Sequence, residues 1–277
     1  MLDFVYFPVS ALLWCWHQLS ALAFGPATGI TWLIAVFALV VTVRALLVRT
    51  ALRQARSQAV LRTLQPRIDS IRRTHKDDPL AQTTEIRRLH REHGVRLFAG
   101  FGPMIAQAFV FLGLFHVLRS FDRTGAFAVG PFTATSTPLS PEVNAATANY
   151  FFGADEVRAF LDARLFGAPL SATLFGAGAS AAVFVVALVV IAALATHCTA
   201  RLTPLSADNP TASVMRTLSL WVFPVGALVS GAILPIVVLV YFATNAVWTL
   251  CQQYLLRRAF MPEAAAPDAA PRHRKAG

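Results

Sequence analysis

From Thr28 to Val48 the chain runs for twenty-one residues with a single charge, Arg44, and that run limits what the chain can become. At ~1.5 Å per residue, ~20 apolar residues cross the ~30 Å hydrocarbon core of a bilayer as one α-helix. Apolar blocks at 101–118, 174–196, 214–231 and 232–250 repeat the signal. Composition agrees, with 56% hydrophobic and 14% charged residues, against ~25% charged in an ordinary soluble domain. No stretch shows the alternation of a transmembrane strand. The reading is an all-α polytopic membrane protein with five transmembrane helices.

The net charge of +10 is unevenly placed. Thirteen basic and five acidic residues lie between Arg44 and Phe98, whereas 119–178 holds four basic and five acidic ones. The segment 197–216 and the tail after Tyr254 are again net positive. The positive-inside rule therefore places 50–98, the 199–213 connection and the C-terminus in the cytoplasm, and the loop 120–178 outside. Cys15, Cys198 and Cys251 are scattered and form no disulfide or metal pattern.

The N-terminal region 1–26 reads as an interfacial helix. Asp3, Ser10, His17 and Gln18 make a narrow polar stripe on an aromatic-rich segment, and Pro8 suits a helix start. Ala21-Leu22-Ala23 has the form of a cleavage site, but no basic residue precedes it, which speaks against a secretory signal. The first span covers 27–49.

Residues 50–98 are polar and basic with narrow apolar seams. Leu61, Leu64, Ile68 and Ile71 are spaced 3, 4 and 3 apart, and Ile86, Leu89 and His93 follow 3 and 4 apart. Lys76-Asp77-Asp78-Pro79 marks a turn between them. This predicts an antiparallel coiled-coil hairpin, its first arm kinked at Pro66. Residues 99–256 hold the other four spans. Within them the outer loop 120–178 carries an amphipathic helix over Asp155–Phe166, expected to rest on the membrane surface with Val157, Phe160, Leu161 and Leu165 on one face. The tail 257–277 reads as disordered and basic.

Helical rise gives depths. Counted from the cytoplasmic edge, Arg44 lies about 6 Å deep, and Gln107 and Asn245 about 12 Å deep, with Tyr241 one turn further. Three helices thus bring polar side chains to one layer of the inner leaflet, and no such layer occurs in the outer leaflet. An arginine in a span costs at least ~2.5–3.5 kcal/mol. Two readings stay open. Arg44 snorkels while Gln107 and Asn245 bond across helices, or the three line a wet, positively charged groove open to the cytoplasm.

These residues also match a known pattern. Trp32, Thr42-Val43-Arg44, Leu64-Gln65-Pro66, Lys76-Asp77-Asp78, Glu85, Arg91-Glu92-His93-Gly94, Pro103 and Gln107 come first. Phe223-Pro224, Leu234-Pro235, Tyr241, Asn245 and Gln252-Gln253 follow in order. Over roughly residues 28–256 the chain resembles the YidC/Oxa/Alb family of membrane-protein insertases, in the bacterial form without a large periplasmic domain. It departs from the usual pattern at 95–103, at Gln107-Ala108-Phe109 and at 237–242, which makes it a divergent member. The resemblance implies a five-span core with a hydrophilic groove at Arg44, Gln107, Tyr241 and Asn245. It implies insertion and chaperoning of nascent membrane proteins in the bacterial cell membrane, alone or beside the Sec translocon. Ribosome docking through the hairpin and tail, and contact with anionic lipids, follow from the same resemblance and from the charge.

Enzyme chemistry is not expected. His90 and His93 are two histidines without further ligands, so a metal site is not read there. No P-loop, nucleophile–base arrangement or cofactor motif is present, and no span interior carries Asp or Glu, which weakens a proton-coupled transporter. Two other classes remain as alternatives. A small-solute channel requires polar residues through both leaflets, and a membrane anchor for ribosomes or translocon components requires the hairpin but not Arg44.

Overall fold

The computed structural model describes residues 2–94, 101–124, 138–174, 178–202, 218–222 and 234–260, with isolated positions at 225, 226, 229 and 231. The tail beyond 260, the connection 203–217 and most of the 214–231 block fall outside the described residues, as do 95–100. The architecture is all-α, as the apolar blocks require, apart from one two-residue β-hairpin.

Helix α1 (Asp3–Phe24) is followed by a tight turn into α2 (Gly29–Thr74). Thr31 Oγ1 donates to the Gly25 carbonyl at 2.7 Å, and Ser20 Oγ reaches the Thr31 carbonyl at 3.2 Å, so the turn is closed by hydroxyl groups. At 46 residues, α2 is about 69 Å long, more than twice the ~30 Å hydrocarbon core. The span and the first arm of the basic hairpin are one continuous helix with Pro66 inside it. Nothing between Arg49 and Gln65 breaks a helix, since neither glycine nor proline occurs there.

Helix α3 (Pro79–Glu92) returns along the end of α2. Asp78 caps it, accepting from the Leu80 and Ala81 amides at 3.1 and 2.9 Å, with Pro79 at the first helical position. Leu64, Ile68 and Leu89 form the buried seam, flanked by Ile71 and Ile86. His93 is exposed, while its neighbour His90 is buried.

Helices α2, α7 (Gly178–Leu202) and α8 (Ile236–Phe260) are long and apolar enough to cross a membrane. Helix α4 (Phe101–Arg119) carries a shorter apolar stretch over Ile105–Arg119. Of the predicted fourth span, the described parts are a π-helical turn, Leu218–Val222, and isolated helical positions at 225, 226, 229 and 231. Helix α8 packs against α7 and α2, and α1 packs against α2 and α4. Gly113 makes the α1–α4 approach possible, because a Cβ there would sit 2.9 Å from Val5.

Within the polar stripe of α1, Ser10 and His17 turn inward rather than to water, Gln18 is half-buried and Asp3 is exposed. Ser10 and His17 are fully buried: Ser10 Oγ accepts from the Phe151 amide at 3.2 Å, and His17 Nε2 lies 3.2 Å from the Pro26 carbonyl. The outward face is Phe4, Phe7, Leu19, Leu22 and Phe24, all exposed. Backbone groups of Phe151 and Pro26 meet Ser10 Oγ and His17 Nε2, and the opposite face of α1 is left apolar and suited to lipid.

Residues 138–174 close one end of the bundle. Helix α5 (Pro141–Ala145) and helix α6 (Ala154–Asp162) are followed by β1 (Arg164–Leu165) and β2 (Ala168–Pro169). The amphipathic helix ends at Asp162, shorter than expected, and its apolar face packs on the protein itself. Val157 and Phe160 are buried against Trp32, Phe121 and Phe152, the two phenylalanine rings Phe121 and Phe160 stacking at 4.5 Å. The tryptophan and phenylalanines below offered that face a closer-packed partner than lipid headgroups. Asn149 and Asn144 give their amides to the Val117 and Phe121 carbonyls, both at 3.0 Å, and so cap the end of α4. The Ala172 carbonyl accepts from the Ile236 amide at 3.0 Å, doing the same for the start of α8. Gly29 lies flush against β1, where a Cβ would come within 2.5 Å of the Arg164 carbonyl oxygen.

Candidate functional site

Burial along α8 changes from one end to the other. Residues 236–241 are all buried beneath the cap, whereas beyond Ala243 every described residue is half-buried or exposed. The polar groups of the spans lie at this change. Tyr241, Asn245 and Thr249 follow at intervals of four on one face of α8. Each finds a partner on another helix.

Arg44 of α2 is half-buried and points at α8. Its Nε and Nη2 donate to Asn245 Oδ1 at 2.9 and 2.6 Å, and Nη2 also donates to Thr249 Oγ1 at 2.8 Å. Thr249 Oγ1 in turn donates to the backbone carbonyl of Asn245 at 2.8 Å. Gln107 of α4 donates from Nε2 to the Tyr241 hydroxyl, and the Tyr241 ring is 5.5 Å from Phe111, one turn along α4. Gln107 Oε1 is buried with no hydrogen-bond partner among the described residues.

All four residues singled out from the sequence therefore meet on α8, as two bonded pairs that tie α2 and α4 to it. Thr249 is the member the sequence reading omitted. Its signal was its place one turn beyond Asn245, on the same face. Two residues toward the cap on α2, Thr42 accepts a hydrogen bond at 3.1 Å from the Trp16 indole, so α1 also reaches this layer.

The electrostatics are one-sided. Among the described residues Arg44 has no carboxylate partner; the ion pairs present, Asp69–Arg72, Arg88–Glu92 and Asp155–Arg158, all lie outside this layer. Hydrogen bonds to a charged group contribute ~1.5–3 kcal/mol each, so neutral oxygens hold the guanidinium in place without cancelling its charge. No group of three or more metal-ligating side chains occurs among the described residues. The arrangement presents a fixed positive charge beside the half-buried stretch of α8, whose other end is packed beneath the cap.

Comparison with known proteins places this geometry. Residues 23–264 match the family model described as 60Kd inner membrane protein. A membrane protein insertase YidC of Mycolicibacterium paratuberculosis is 38% identical over 269 residues, covering 91% of this chain and 74% of that protein. One from Mycobacterium tuberculosis strain H37Rv is 38% identical over 270 residues, covering 91% and 72%. A more distant one from Streptomyces avermitilis is 27% identical over 263 residues, covering 93% and 58%. With three helices able to cross a membrane and these bacterial relatives, the chain is a multi-pass bacterial membrane protein, and it belongs to the 60Kd inner membrane protein family, the YidC/Oxa insertases.

Proposed function

We propose that this protein inserts newly made membrane proteins, without enzymatic chemistry, through a hydrophilic groove at Arg44, Gln107, Tyr241 and Asn245. The observation that carries the reading is the uncancelled charge of Arg44, held by Asn245 and Thr249 on the half-buried stretch of α8. A polar or acidic stretch of a nascent chain enters from the cytoplasm and rests near this charge, which lowers the local cost of leaving water. The apolar stretch that follows moves into lipid, driven by its own burial at ~25 cal/mol per Å². No nucleotide is needed.

In this reading the hairpin of α2 and α3, together with the C-terminus, lies in the cytoplasm, and 138–174 lies outside. Five spans complete the core, the fourth in the 214–231 region. The basic hairpin and tail receive the ribosome, and the Sec translocon works beside the protein on larger clients. The packed cap speaks against a small-solute path, because Trp32, Phe121, Phe152 and Phe160 fill the bundle where such a path would leave it.

Site-specific photocrosslinking from positions 44, 107 and 245 to a ribosome-stalled nascent membrane protein tests this reading. Adducts from all three support the groove. Adducts from none, with insertion still dependent on the protein, would overturn it.

A further inference from the structure

On the other side of Arg44, the seam between α2 and α8 opens into two apolar cavities that share Trp248 and Cys251. The upper one, about 460 Å³, is bounded by Phe37 and Val41 of α2, Ile191 of α7, and Ala243 and Val247 of α8. The lower one, about 310 Å³, is bounded by Val48, Ala51 and Leu52 of α2 and by Gln252, Leu255 and Leu256 of α8. Along α8 the pair covers about 18 Å from Ala243 to Leu255, comparable to one leaflet of a ~30 Å hydrocarbon core. Phe37, Val247 and Leu255 are exposed on its margins, so the groove opens sideways rather than into the bundle.

The lower end is basic. One helical turn past Leu52 and Leu256, the Arg56 guanidinium sits 5.8 Å from the Phe260 ring centroid. Exposed Arg49 and Arg53 flank the lining residues of α2, and exposed Arg257 and Arg258 follow those of α8. No acidic residue occurs on α2 before Asp69, and none at all on α8. Among the described residues Arg49, Arg53, Arg56, Arg257 and Arg258 have no ion-pair partner. An apolar slot of one leaflet's depth, ending in uncompensated arginines, is complementary to a molecule with a long hydrocarbon chain and an anionic head.

We infer that the α2–α8 groove is a binding site for one anionic phospholipid, its acyl chain between Val41 and Leu255 and its phosphate among Arg49, Arg53 and Arg56. A nascent apolar segment would fit the slot but gives no reason for the arginines. A zwitterionic lipid supplies the chain without the net charge. The inference deepens the proposed function by naming a lipid partner, and it relies on the proposed orientation only for which leaflet supplies it. Bound there, the lipid braces the face of α2 next to Arg44 and keeps water on the Gln107 side.

The test uses the purified full chain in detergent with Cys15→Ser and Cys198→Ser, leaving Cys251 as the one thiol. Phosphatidylglycerol or phosphatidylcholine is titrated in. Lipid retention is read by native mass spectrometry, and the rate of maleimide reaction at Cys251 is read in parallel. Retention of a single phosphatidylglycerol, with slowed alkylation of Cys251 and little effect from phosphatidylcholine, is the expected result. Arg53→Gln and Arg56→Gln are exposed-site changes, each expected to weaken retention about fivefold. Equal retention of both lipids would overturn the site, and so would phosphatidylglycerol retention with Cys251 unprotected. Protection of Cys251 by an added apolar peptide but not by lipid would assign the groove to polypeptide instead. Neither readout involves a nascent chain, so failure here leaves the insertase reading standing, and the reverse.

Discussion

Arg44 gives two hydrogen bonds to one oxygen of Asn245, from Nε at 2.9 Å and from Nη2 at 2.6 Å. The two residues stand 201 positions apart, and a third bond to Thr249 at 2.8 Å completes the hold. A carboxylate in place of Asn245 would bind the guanidinium as well and would also neutralise it. The amide fixes the direction of the side chain and leaves its charge available.

Replacing Asn245 by Leu removes the shared acceptor while Arg44 keeps only Thr249. A loss of about 1.5–3 kcal/mol is expected, seen as a lower melting temperature in detergent. The double variant Arg44→Leu, Asn245→Leu should lose less than the two single changes added together, because neither leaves a partner stranded. Strict additivity would show that the pair does not interact.

Arg44→Ala should impair insertion of clients whose translocated segment is acidic, and Arg44→Lys should retain most of it, since a point charge at that depth suffices. Growth complementation in a strain depleted of its insertase, scored with acidic and neutral reporter tails, distinguishes the two. Equal performance of all three proteins on every client would remove the charge from the mechanism.

Gly29→Ala should disturb the cap without touching the polar layer. The new methyl would lie 2.5 Å from the Arg164 carbonyl oxygen, and overpacking of this kind costs about 1–3 kcal/mol. Hydrogen exchange should rise in 152–170, with little change around Asn245. An unchanged exchange pattern would mean that the backbone of β1 gives way freely.

Leu89→Ala should loosen the hairpin alone. The seam is small, with Leu64, Ile68 and Leu89 at its centre, so α3 opens locally rather than with the bundle. Exchange of the amides in 80–92 should become faster while that of 236–243 stays protected. Global unfolding instead would make the hairpin part of the core.

Different physical signals made different parts of this protein legible. The spans α2, α7 and α8 announce themselves because length and apolarity alone define a bilayer crossing. Helical rise assigned Arg44, Gln107 and Asn245 to one layer, but the bonded pairs join residues counted about one turn apart, and rise says nothing about partners. That Arg44 meets Asn245, whereas Gln107 meets Tyr241, depends on the rotation of each helix about its own axis, which no count of residues supplies. Thr249 escaped notice for a related reason: a threonine inside a helix can bond its own backbone, as Thr249 does at Asn245, and is unremarkable until an arginine reaches it. The stripe of Ser10 and His17 was visible, yet its direction was not, because the backbone amide that meets Ser10 lies more than a hundred residues away at Phe151. The same long-range packing drew Val157 and Phe160 inward, where local amphipathicity suggested a surface.

The unbroken course of α2 has a mechanical consequence. Trp32, Arg44 and Leu64 sit on one rod, locked respectively to the aromatic cap, to α8 and to α3. About 45 Å separates Arg44 from the end of the rod at Thr74. A load placed on the hairpin tip passes through the weaker turn at Pro66, where a backbone hydrogen bond is missing, and then along an unbroken helix. It arrives at the guanidinium as a twist or a tilt of its own helix, with the capped end as the fulcrum.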